Sequence, residues 1–158
     1  MSTFVFSITA LSVTAILGKA IQIERSARSA EKVEENATFV LESMAKEINV
    51  STITSANSPG CTATTITMIH PVNGTISYSL SGGNVQRTAG SAQIINSGDV
   101  TFTNLKFCIT GNGGGSSGDN QSTKITILAS IQSNIGRPFI ANLQTTVVSR
   151  DITVELTN

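Results

Sequence analysis

The side chains able to do chemistry are few and scattered. The single histidine, His70, precedes Pro71 and reads as a turn residue, with no second histidine for a metal set and no Ser/His/Asp or Cys/His/Asn arrangement around it. Asp99 and Asp119 fall in turn-rich stretches where carboxylates can contribute to a calcium site, but no oxygen-rich spacing accompanies them. Within "GNGGGSSGDN", Gly113, Gly115 and Gly118 satisfy G-x-G-x-x-G. Dinucleotide binding needs a strand before that motif and a helix N-terminus after it, whereas this run lies between two strand-like segments and reads as a hairpin loop. No G-x-x-x-x-G-K-S/T is present, so nucleotide hydrolysis would belong to a separate motor protein. The Asn-x-Ser/Thr triplets at Asn36, Asn49, Asn73 and Asn120 are expected by chance in so Ser/Thr-rich a chain. The inventory points away from an enzyme, with no cofactor and no metal expected.

Two cysteines, Cys61 and Cys108, sit in segments that read as strands. In an exported domain they are expected to pair, and closing such a loop stabilises by about 4 kcal/mol on the chain-entropy estimate; the alternative is two buried thiols.

The 158 residues carry no net charge and suffice for one domain plus an extension. Eleven of the twenty charged side chains fall between Lys19 and Glu47. The rest of the chain relies on Ser, Thr, Asn and Gly for solubility, a style of extracellular β-rich domains. With no Trp, one Tyr and no basic stripe, a nucleic-acid platform is hard to build, so no nucleic acid is expected to be bound directly.

These residues hang on two kinds of element. Phe4 to Leu17 is apolar and free of charge and glycine, and as a helix it rises about 21 Å, short of the roughly 30 Å hydrocarbon core. Beyond it, Ala20, Ile23, Ala27, Ala30, Val33, Ala37, Leu41, Met44 and Ile48 recur at spacings of three or four, which is helical periodicity. Glu24 with Arg28, and Glu42 with Lys46, stand four apart as oriented pairs. One helix from about Thr3 to about Asn49 would be about 70 Å long, while a compact domain of this chain length has a radius of gyration of about 15 Å. Much of it must protrude, and an apolar rod in water requires cover by lipid or by other copies.

After Ile48, "NVSTITSANSPG" ends the helix. From Cys61 onward, β-branched runs alternate with turn signals such as "PVNG", "GGN" and "SNIGRP", as in antiparallel meanders. Val100 and Phe102, then after a shift Leu105, Phe107 and Ile109, and further on Ile125, Ile127 and Ala129, alternate so as to share a core face. The helix stripe Val33, Ala37, Val40, Leu41, Met44 and Ile48 is the natural cover for that face. The expected fold is therefore α+β: an apolar protruding half-helix over 1–22, an amphipathic half over 23–50 packed on the sheet, and an antiparallel β domain over 51–158.

This layout resembles the type IV pilins and type II secretion pseudopilins. "RSARSAEKVEENATFVLESMAKEI" looks like the amphipathic half of a minor pilin helix, "GGNVQRT" and "INSGDVTFTNLKF" like the family's middle strands, and "LQTTVVSRD" like its closing strand. The likeness is to minor subunits of the W-like and J-like kind. It implies a structural subunit of a filament, held in the inner membrane before assembly and lying in a periplasmic or extracellular filament afterwards. Its partners would be other pilin or pseudopilin subunits, met through Phe4, Phe6, Ala10, Leu11, Val13, Ile16, Leu17 and Gly18. The family's processing site, glycine before an aromatic or Met with glutamate at the fifth mature position, has no match, so Met1 is expected to lie inside the family's helix. A rival reading is a secreted β-domain binding module that loses its first twenty residues as a signal peptide.

Overall fold

The computed structural model describes the backbone of residues 2–112 and 122–149, and the side chains of Leu11 and of these residues from 13 onward. The first element, α1, is an unbroken α-helix over Ser2–Val50. Its exposed faces carry the pairs Glu24–Arg28 (2.6 Å), Lys32–Glu35 (2.8 Å) and Glu42–Lys46 (3.5 Å), at the three- and four-residue spacings that set side chains together on a helix. The helix ends where Ser51 turns its hydroxyl back to the Glu47 carbonyl (2.6 Å) and its N–H to the Ile48 carbonyl (3.3 Å), a side-chain cap on orphan acceptors.

Among the described residues nine strands follow: β1 (Thr52–Ile53), β2 (Ser58–Ala63), β3 (Thr65–His70), β4 (Gly74–Ser81), β5 (Asn84–Ala89), β6 (Ser91–Ile94), β7 (Val100–Thr110), β8 (Lys124–Ser133) and β9 (Ile140–Val148). They form two antiparallel sheets, one ordered β1-β3-β4-β5-β6 and the other β2-β7-β8-β9. The sheets come together along β7, which touches β3, β4 and β5.

This overturns the expected α+β, pilin-like layout of one helix laid over one antiparallel sheet. The described residues are mostly β, with one helix and nine strands in two sheets among them. The change of sheet falls at Thr64, the single residue between β2 and β3. The strand before it pairs with β7, far along the chain, while the strand after it joins β1 and β4 in the other sheet. A meander reading sets sequence neighbours side by side and misses that switch. The core shows the same balance: among its buried apolar residues only Val33, Ala37, Val40, Met44 and Ile48 are helical. The others lie on strands, with Ile66, Met68, Ile76, Tyr78 and Val85 from the first sheet and Phe102, Leu105, Phe107, Ile109, Ile125, Ile127 and Ile131 prominent from the second.

Local sequence chemistry sets the strand geometry. Gly82 and Gly83 both take positive φ (56° and 79°) in the two-residue turn between β4 and β5, the conformation that tight hairpins demand. The alternation of β7 is interrupted at Thr103 by a bulge between Phe102 and Asn104, after which Leu105, Phe107 and Ile109 return to the core face. β9 runs beside α1 in the same direction. Ser29 meets the Ile135 carbonyl (2.7 Å) just before β9, and Ser149 just after it donates its hydroxyl to the Ser51 carbonyl.

Candidate assembly surface

The residues able to do work are of three kinds: an exposed apolar run, an apolar groove, and a small set of polar locks that hold the scaffold beneath them.

The run lies on the first half of α1. Leu11 is 71% exposed, Ile16 67% and Ile23 70%, and Val13, Leu17 and Ile21 are also exposed. Gly18 has nothing within 4 Å of where a Cβ would stand. Phe4, Phe6 and Ala10 lie on α1, but their side chains fall outside the described residues. Among the described residues, no helix is long and apolar enough to cross a membrane.

The groove lies further along α1, where β9 flanks it. Buried Val33 and Ala37 and half-buried Leu41 from α1, with half-buried Ala141 and Leu143 from β9 and exposed Phe139 just before it, enclose about 380 Å³. Glu34 and Thr38, both exposed, stand at its rim. The second sheet ends at β9, so the groove follows a sheet edge. Of the helix stripe read from the sequence, Val33, Ala37, Val40, Met44 and Ile48 are fully buried, whereas Leu41 is partly open and lines this groove.

The polar locks explain why the scaffold is rigid. Cys61 and Cys108 form a disulfide between β2 and β7, with Cα atoms 4.0 Å apart. Its setting is a bulge: Pro59, Gly60, Cys61 and Thr62 intervene where the partner strand spends only Cys108, and Cys61 takes a positive φ of 56°. Near the end of α1, Arg87 on β5 donates Nη2 to Glu47 Oε1 (2.7 Å) and Nε to both oxygens (3.0 and 3.1 Å). The Tyr78 hydroxyl donates to Glu47 Oε2 (2.6 Å). Burial pushes the Glu47 carboxyl up, but the hydrogen bonds from Arg87 and Tyr78, with the Arg87 charge, outweigh it and hold its pKa below the ordinary value. Burial and then the Glu47 carboxylate push the Tyr78 phenol well above the usual range.

The sequence singles out other residues that have local tasks. His70 Nδ1 accepts the N–H groups of Val72 (3.1 Å) and Asn73 (3.2 Å), closing the β3–β4 hairpin. Asn36 bridges the Lys32 carbonyl and the Ser97 N–H, a scaffold contact between α1 and the loop before β7. Asp99 lies in that loop, and its carbonyl accepts from Asn134 N–H (2.8 Å). Asp119, Asn120 and the glycines 113, 115 and 118 lie outside the described residues. Among the described residues, no group of three or more His, Cys, Asp or Glu side chains could hold a metal.

Sequence reasoning misses the groove and the Glu47 cluster. The groove's far wall comes from "FIANL", a hundred residues from the helix that completes it, and no local pattern joins them. A signal for the cluster is present: Tyr78 is the lone tyrosine, and Arg87 is an isolated charge in an otherwise uncharged stretch of strands. A buried strand that carries one cation implies a fixed carboxylate opposite it.

Neither family models, nor curated proteins, nor solved structures yield a match to this chain.

Proposed function

We propose that the chain is a structural subunit of a pilus-like or pseudopilus-like filament and that it assembles through the first half of α1. The observation that carries this reading is the exposure of Leu11, Val13, Ile16, Leu17, Ile21 and Ile23 on an unbroken helix. The apolar positions from Phe4 to Leu17 go all the way round the helix, and a helix of that kind is stable when enclosed rather than when covered on one side. One groove on one partner would cover a single face. Several copies packed around one another would cover every face, and the small residues Ser12, Ala15 and Gly18 permit close approach.

The sequence strings that resemble pilins support the same reading, although the two-sheet architecture departs from the layout of that family. The disulfide favours an oxidising compartment such as the cell envelope or its exterior. Before assembly, a lipid surface is the natural cover for the run. Function on this reading is mechanical, since moving an apolar helix from lipid to an equally apolar bundle changes the free energy little. No reaction is assigned to the subunit.

Electron microscopy of the purified full chain after removal of detergent tests the reading. Filaments, or a uniform oligomer dissolved by Val13→Asp with Leu17→Asp, support it. Isolated particles at all concentrations contradict it, and recovery of an exported form that lacks residues 1–20 would identify a secreted β module instead.

A further inference from the structure

We infer that the groove between α1 and β9 is the acceptor for the apolar run of a second copy, making the assembly contact head-to-tail. This rests on the reading of the chain as a self-assembling subunit and names the surface that reading leaves open.

The run and the groove lie on one unbroken helix, with Lys19 in the run and Glu34 at the groove's rim fifteen residues on, about 22 Å of helical rise. A straight helix cannot bring one of its halves against the other, so no molecule can seat its own run in its own groove. The groove and one face of the run are covered together when the run of each copy enters the groove of the next, and the other faces of the run are left to the runs of neighbouring copies. Two different patches then meet, which is a heterologous contact, and unless the rotation closes on itself such a contact propagates as a fibre. The dimensions are compatible: the groove is lined over three turns of α1, from Ala30 to Leu41, and the run from Leu11 to Ile23 has a similar length.

Charge complementarity selects a second copy as the occupant. The charges on α1 from Glu42 onward, and the pairs Glu24–Arg28 and Lys32–Glu35, are engaged within the chain. Among the described residues, Lys19 and Glu34 have no ion-pair partner within it, and neither do Arg25 and Glu31, which lie outside both run and groove. Lys19 is the one charged side chain within the run, and Glu34 is the one charged side chain lining the groove. Docking the run places the first near the second. In a polar filament the copies share one direction, so contacting copies would be displaced along the axis by about 22 Å.

Charge reversal tests this on the full chain. Sedimentation velocity is compared for the wild type, Lys19→Glu, Glu34→Lys and the double reversal, with far-UV circular dichroism and disulfide content as controls for folding. Each single reversal places like charges together and is expected to raise the concentration needed for assembly about tenfold or more. The double reversal restores it to near the wild-type value. Thr38→Gln, an uncharged change that crowds the rim without disturbing the buried residues, weakens assembly of both charge patterns alike. Wild-type-like assembly of both single reversals and of Thr38→Gln overturns the groove as acceptor while leaving self-assembly standing. A double reversal no better than the singles overturns the Lys19–Glu34 pairing. A wild type that never assembles overturns this inference and the proposed function together.

Discussion

Glu47 shows how one carboxylate can hold a helix end to a sheet. It sits on the last turns of α1 and receives Arg87 from β5 and Tyr78 from β4, with the Arg87 and Glu47 side chains both 19% exposed. Removing Arg87 leaves the partly buried Glu47 carboxylate without its cation and with only the Tyr78 hydroxyl, so Arg87→Met is expected to cost about 1–3 kcal/mol, read as a lower urea midpoint. The double change Glu47→Gln with Arg87→Met should cost less than the sum of the two single changes, because neither charge is then left alone. The pH dependence has a definite sign. The folded-state pKa of Glu47 lies below its unfolded value of about 4.3, so its contribution is fully present above that value and is lost as pH falls through the lower folded one. Glu47→Gln should therefore flatten the acid limb of a stability-versus-pH profile. An unchanged acid limb would show that other groups set it.

The elements divide into those that local pattern reveals and those that it does not. The helix announces itself through apolar spacings of three and four, and the bulge in β7 appears as the lost beat at Thr103. The disulfide is legible from two cysteines in strand-like runs, and reducing it or replacing both residues by Ser should lower stability by about 4 kcal/mol. The two-sheet architecture is not legible. A Thr/Ile-rich strand looks the same whichever sheet it joins, and β2 pairs with β7, more than forty residues along the chain, where no local pattern points. The connection from β8 to β9 likewise reads only as a turn, yet it fastens the sheet to α1. There Gly136 takes φ 67°, and a Cβ would come 2.7 Å from Ser29 Oγ and 3.2 Å from the Arg25 carbonyl. Gly136→Ala is expected to cost about 1–3 kcal/mol through backbone strain and that contact, seen as a lower unfolding midpoint. A neutral result would mean that the loop holds to α1 by other means.

At the scale of the whole molecule, a rigid, cross-braced β body carries a helix with two unsatisfied apolar surfaces about 22 Å apart along its axis. The braces are the disulfide at one strand pair, the Glu47 cluster at the end of α1 and the Ser29 and Ser149 contacts that lash β9 alongside the helix. On the proposed reading, association with other copies covers the run. The most direct measurement is sedimentation velocity of the full chain, free of detergent, over a hundredfold range of concentration, beside Ile16→Asp with Leu17→Asp. The account predicts large, concentration-dependent species for the wild type and a folded monomer for the variant. A wild type that stays a soluble monomer across the whole range, indistinguishable from the variant, would contradict it.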